Sequence, residues 1–128
     1  MSAPRADRFE DLIAWQKARF LVGSVYSVTN ENAFAKDFGL RDQIRRAAVS
    51  VMSNLAEGFD RASRADFHRF VVIVKGSCAE VRSQLYIAHD VGHINQHQLN
   101  TLLAQAQELS RILGALRVSL DPKNPRTT

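Results

Sequence analysis

Between Pro4 and Pro122 the chain contains no proline, and apolar residues recur there at three- and four-residue steps. Proline breaks a helix from within, and that spacing lays side chains along one helical face. Long amphipathic helices are therefore the simplest way to fold this sequence. The clearest runs from Phe38 to Phe59, FGLRDQIRRAAVSVMSNLAEGF. Leu40, Ile44, Ala47, Ala48, Val51, Leu55 and Phe59 form its apolar stripe, while Arg41, Arg45 and Arg46 line the opposite flank. Its second half sets Ser50, Asn54 and Glu57 beside apolar neighbours, and Gly58 with the polar run DRAS is expected to end it.

Three further segments share this pattern. From Phe9 to Thr29 two stripes, one through Phe9, Leu12, Ile13 and Phe20 and one through Trp15, Ala18, Val22, Val25 and Tyr26, predict a helix covered on more than one side. Asn30 to Asp37 has neither helical spacing nor strand alternation and reads as a loop. Ser63, with Asp66 in the first turn, suits the cap of a helix through Phe67, Phe70, Val71, Val74, Cys78, Val81, Leu85 and Ala88, stopping near Gly92. Asn95 and Gln98 have capping-box spacing before a leucine-rich helix from Leu99 to Leu120. The fold expected is all-α: an up-and-down antiparallel four-helix bundle over residues 9–120, with flexible ends at 1–8 and 121–128.

At 128 residues such a chain is most simply one domain with its own core. The start has no apolar run after its charges, so a signal peptide is not expected. No segment has the uncharged apolar length of a membrane span. The single cysteine, Cys78, suits a reducing cytoplasm, although a secreted protein without disulfides would look the same. Net charge is +4, which permits an anionic partner without demanding one. Most of the excess lies in residues 39–75, where seven bases face four acids.

Several residues resemble the parts of chemical sites. His89, His93 and His97 have a spacing that can hold zinc, but Gly92 and the cap at Asn95 interrupt the helix between them. Asp90-x-x-His93 occurs once, where a carboxylate-bridged di-iron bundle needs the pattern twice. Glu57 and Glu80 could pair for acid–base work, or could satisfy polar neighbours in a buried layer. Cys78 lies on an apolar stripe and reads as a core thiol. Gly76-Ser77 forms no phosphate loop; a small residue there is expected at a close helix approach. No catalytic residue, metal or cofactor is assigned.

The basic set is Arg41, Arg45, Arg46, Arg61, Arg64, Arg69 and Lys75, a candidate surface for backbone phosphates, to which Arg offers fork-shaped contacts. The alternative is a solvated face, or pairing with the interleaved Asp42, Asp60 and Asp66. Gln43, Ser50, Asn54, Glu57, Ser77 and Glu80 form a second, polar set, structural or at an interface.

FEDLIAWQKA at Phe9–Ala18, the Phe38–Phe59 stretch with its QIRRA and SNLAEG parts, and FHRFVVIVKGSCAEVRSQLYIA at Phe67–Ala88 carry a resemblance. The chain resembles the four-helix bundle proteins encoded in bacterial 23S rRNA intervening sequences. That superfamily also includes the accessory variability determinant of diversity-generating retroelements. The resemblance implies a ring-like homopentamer with no known catalytic activity. For the retroelement members it implies binding to nucleic acid and to a reverse transcriptase through a basic surface. Where those proteins usually carry proline this chain has Met52, which predicts a straighter helix. Two functions follow as expectations: a cytoplasmic, non-enzymatic oligomer that binds RNA or other nucleic acid, or an assembly module with no nucleic-acid partner. Neither involves a membrane.

Overall fold

The computed structural model describes residues 6–123. A single 3-10 turn, Phe9–Asp11, leads into α1 (Ile13–Thr29), α2 (Asn32–Lys36), α3 (Phe38–Asp60), α4 (Arg64–Asp90) and α5 (Gln96–Leu120). The described residues contain no strand, so the fold is all-α. The expected tail beyond Lys123 and the first five residues lie outside the described part.

Local chemistry sets most of these boundaries. Asp37 caps α3 by accepting from the Leu40 N–H at 3.3 Å, and Ser63 caps α4 by accepting from Asp66 N–H at 3.2 Å. Asn95 and Gln98 form the full reciprocal box at the start of α5, at 2.8 and 2.9 Å. Each cap satisfies N–H groups that the first turn of a helix leaves without a partner. Between α3 and α4 the chain reverses through Ala62 at φ 66°, and between α4 and α5 through Gly92 at φ 85°.

α3 packs on α1 and α4, and α5 on α4 and α1, so each long helix touches two others. Leu21, Val25, Ile44, Val51, Leu55, Val71, Val74, Val81, Leu85, Leu109 and Leu113 fill the space between them and are fully buried. α3 runs unbroken past Met52, which is half-buried against the core. The thiol of Cys78 is buried among these residues and donates to Ala106 O at 3.4 Å. Burial pushes that thiol up, against smaller opposing pulls from the charges of Arg82 and Lys75.

Beyond the start of α1 at Ile13 and not at Phe9, with Leu12 extended between it and the 3-10 turn, four features differ from what the spacing predicted. The segment 30–37 contains α2, and Phe34 from that helix is completely buried, stacked on His93 with ring centroids 4.9 Å apart. Only one side of α1 is covered: Ala14, Ala18, Leu21, Val25 and Val28 are buried, while Ile13 and Phe20 stay exposed. Gly58 does not end α3. It lies inside the helix, where a Cβ would fall 2.5 Å from Phe70 Cβ, so it is the close approach of α3 to α4. In the Gly76-Ser77 pair it is Ser77 that faces α3, while Gly76 is exposed and faces open space.

Asp37 joins α3 to the α4–α5 turn, since His93 Nε2 donates to its Oδ2 at 2.9 Å. That hydrogen bond, followed by the Leu40 N–H, holds the Asp37 carboxyl below the ordinary value of 3.8; partial burial opposes the shift and the charge of His93 adds to it least. A carboxylate lowered on folding contributes stability above its unfolded value and loses it as pH falls through the folded one. Asp37→Asn is therefore expected to flatten the acid limb of the stability profile below pH 3.8. Urea midpoints taken from about pH 7 down to about pH 3 would show this, and an acid limb as steep as that of the unaltered chain would contradict it.

Candidate nucleic-acid interface

The seven bases of the α3–α4 region do not form one surface. Arg45 turns inward: its Nε donates to Thr29 Oγ1 at 2.8 Å, another N–H donates to Asn30 Oδ1 at 2.9 Å, and its guanidinium lies 4.5 Å from the Tyr26 ring centroid. Thr29 is itself buried and passes its own hydroxyl proton to Val25 O at 2.7 Å. Arg45 thus clamps the end of α1 to α3. Arg41 is similarly engaged, donating to Asp42 at 2.9 Å and to Ala35 O at 3.0 Å while covering the Phe38 ring. Arg46, the next residue on the helix, is exposed and has no ion-pair partner among the described residues.

Around the α3–α4 reversal the bases sit closer to solvent. Arg61 meets Glu57 at 2.9 Å and Arg69 meets Asp66 at 3.1 Å, with both guanidinium groups within 6 Å of the Phe70 ring. These arginines remain 47% and 61% exposed. An exposed pair of this kind is worth about 0–1 kcal/mol, so a phosphate can displace the carboxylate at little cost. Arg64 donates to Ser119 O at 2.6 Å, tying the start of α4 to the end of α5.

Lys75 belongs elsewhere. It lies between α4 and α5 with Arg82 and Arg111, lining an open groove of about 600 Å³ together with Gln107, Ser110, Gly114 and Ala115. Arg82 and Arg111 were not among the sequence candidates. Lys75 and Arg82 are seven residues apart, two helical turns on one face, a signal present in the sequence. Arg111 comes from another helix and only packing brings it there.

The polar set divides in the same way. Ser50 and Ser77 share a hydroxyl hydrogen bond of 3.0 Å across α3 and α4, and Asn54 donates to Ser50 O and Oγ, both at 2.9 Å. These three form a compact polar layer. Glu57 is outside it, paired with Arg61, and Gln43 and Glu80 are exposed. Glu57 and Glu80 line none of the described grooves, so no acid pair faces a pocket there. The three histidines also diverge: His93 meets Asp37, His89 lies 3.7 Å from Asp90, and His97 lines a small groove between α1 and α5. Among the described residues no three His, Cys, Asp or Glu side chains are grouped to hold a metal, and no helix is long and apolar enough to cross a membrane.

An all-helical chain with a basic helical hairpin and an inter-helix Ser–Asn–Ser layer is the class of protein that these features define. The chain belongs to the 23S rRNA-intervening sequence protein family, whose model matches residues 10–115. It is also similar to a crystal structure from Bacteroides thetaiotaomicron, a protein of unknown function from the S23 ribosomal protein family. That likeness has a TM-score of 0.75 at 21% identity and covers 82% of this chain and 98% of the other, so it concerns the fold alone. No curated protein matches the chain.

Proposed function

We propose that the chain is a non-enzymatic cytoplasmic protein, an up-and-down antiparallel four-helix bundle strapped by α2, that assembles as a homopentamer and binds RNA or other nucleic acid through its basic surface. The observation that carries the reading is charge left over after internal pairing. Arg46, Lys75, Arg82 and Arg111 have no carboxylate within ion-pair distance among the described residues, and Arg61 and Arg69 hold theirs only in exposed pairs. Unneutralised Arg and Lys on rigid helices attract phosphate backbones without reading sequence. Repeating the surface in an oligomer multiplies its avidity.

Assembly is supported by the outward side of α4. Val72, Ile73, Tyr86 and Ile87 are all exposed there, with Gly76, Ala79, Glu80 and Ser83 between them. An exposed apolar strip of this length marks an association surface. A role as a pure assembly module draws on the same face, and a reverse transcriptase, as a further partner, on the basic surface.

Charge reversal separates nucleic-acid contact from assembly. Arg46→Glu is expected to lower the salt slope of RNA binding by about one and to weaken binding, with the sedimentation mass unchanged. Collapse of the Arg46→Glu protein to monomers, with RNA affinity set only by that collapse, would favour the assembly module instead.

A further inference from the structure

The groove between α4 and α5 is built differently from the rest of the basic surface. Lys75, Arg82 and Arg111 converge on it from two helices, and no acid among the described residues lines it. The nearest carboxylate along α5, Glu108, turns to α1 and pairs with Lys17 at 2.8 Å; Lys17 holds its carboxyl down, and Arg111 contributes only a smaller pull. Like charges gathered without a counter-charge repel one another, which favours an anion among them. The Arg82 Nε is buried and has no hydrogen-bond partner among the described residues. A buried donor without an acceptor is costly, and no side chain lining the groove accepts from it.

Gly114 completes the arrangement. A Cβ there would come within 3.2 Å of Lys75 Nζ, so the glycine leaves room for the ammonium group at the groove wall. Inside a helix glycine costs about 1 kcal/mol relative to alanine, and here the space it leaves is occupied by a charge. Gln107 and Ser110 add neutral hydrogen-bonding groups to the lining. Two guanidinium forks, an ammonium and neutral donors around an open slot match phosphate oxygens, which a backbone phosphodiester presents as a charge-sharing pair.

We infer that the α4–α5 groove is a phosphate site, seating backbone phosphodiesters through Lys75, Arg82 and Arg111, an occupant that rests on the nucleic-acid reading above. Contact with nucleic acid thereby extends from Arg46 on α3 to α4 and α5.

The test uses the full chain, a short oligouridylate and inorganic phosphate. In amide NMR titrations both ligands are expected to shift Ser110, Arg111 and Gly114, and the double variant Arg82→Gln/Arg111→Gln is expected to lose those shifts. By anisotropy the same variant is expected to bind the oligonucleotide about tenfold more weakly at low salt, with a salt slope smaller by about two. Unchanged urea midpoints would show that both substitutions leave the fold intact, and Lys75→Gln offers a separate variant should they not. If these variants bind RNA like the unaltered chain while Arg46→Glu weakens it, the groove inference is overturned and the wider reading stands. If RNA does not bind but inorganic phosphate shifts Gly114, the groove takes free phosphate and the nucleic-acid reading fails. Equal displacement of the oligonucleotide by poly-glutamate would show a merely cationic slot and overturn phosphate recognition.

Discussion

Phe34→Ala is expected to cost about 3–5 kcal/mol, the usual range for removing a fully buried phenylalanine. Phe34 is the only buried residue of α2, and its ring is stacked on His93. A five-residue helix cannot persist on hydrogen bonds of its own, so loss of the ring would release α2 from the core. The α4–α5 turn would loosen with it, because His93 would lose the stacking that supports its bond to Asp37. For a chain of this size the melting temperature should fall by roughly 10–20 °C. Phe38 supplies the internal control. Four residues later and 62% exposed, it covers only the Arg41 guanidinium, so Phe38→Ala should cost under about 1 kcal/mol. Similar losses from the two substitutions would mean that α2 is not docked as described.

Gly58→Ala sets two opposing effects against each other, and their magnitudes decide the sign. Alanine improves helix propensity by about 1 kcal/mol. Its Cβ would lie 2.5 Å from Phe70 Cβ, 2.9 Å from Phe70 Cγ and 3.3 Å from Phe67 Cδ1. The nearest of these atoms is fixed to the α4 backbone and cannot swing aside, so the helices must separate. Overpacking of this kind costs about 1–3 kcal/mol or more, and the net expectation is destabilisation of about 1–2 kcal/mol. Gly23→Ala should do the reverse. Gly23 is exposed within α1 with nothing near its missing Cβ, so alanine there should stabilise by about 0.5–1 kcal/mol. Chemical denaturation of the two variants measures both, and a stabilising Gly58→Ala would contradict the close α3–α4 contact.

Phe34 and Gly58 also lie where local sequence signals end. The long helices were legible because their signals are local: a periodic apolar stripe, Ser63 ahead of Asp66, and Asn95 ahead of Gln98. α2 carries no such signal. One buried phenylalanine in five residues has no periodicity, and the helix exists through tertiary docking. Glycine identity likewise says nothing about which face approaches a neighbour, so Gly76 looked like the contact and Gly58 like a helix end.

The candidate interface followed the same division. Seven bases lie close in sequence, but helical geometry aims Arg45 into Thr29 and Asn30, leaves Arg46 in solvent and carries Lys75 to another groove. The alternative raised for these bases, pairing with interleaved acids, holds for Arg41 with Asp42 and Arg69 with Asp66. Of the six polar residues, Ser50, Asn54 and Ser77 meet where α3 packs on α4, while Gln43, Glu57 and Glu80 lie apart from them. Arg111 was out of reach, since no local pattern relates it to residues some thirty positions earlier.

The most direct measurement is fluorescence anisotropy of the full chain with a structured RNA and a duplex DNA, taken at low and raised salt. Binding through about four phosphate contacts should weaken on the order of a hundredfold between about 50 and 200 mM salt, with little difference between sequences. Absence of binding to either nucleic acid at low salt would contradict the nucleic-acid function and leave assembly as the role of this fold.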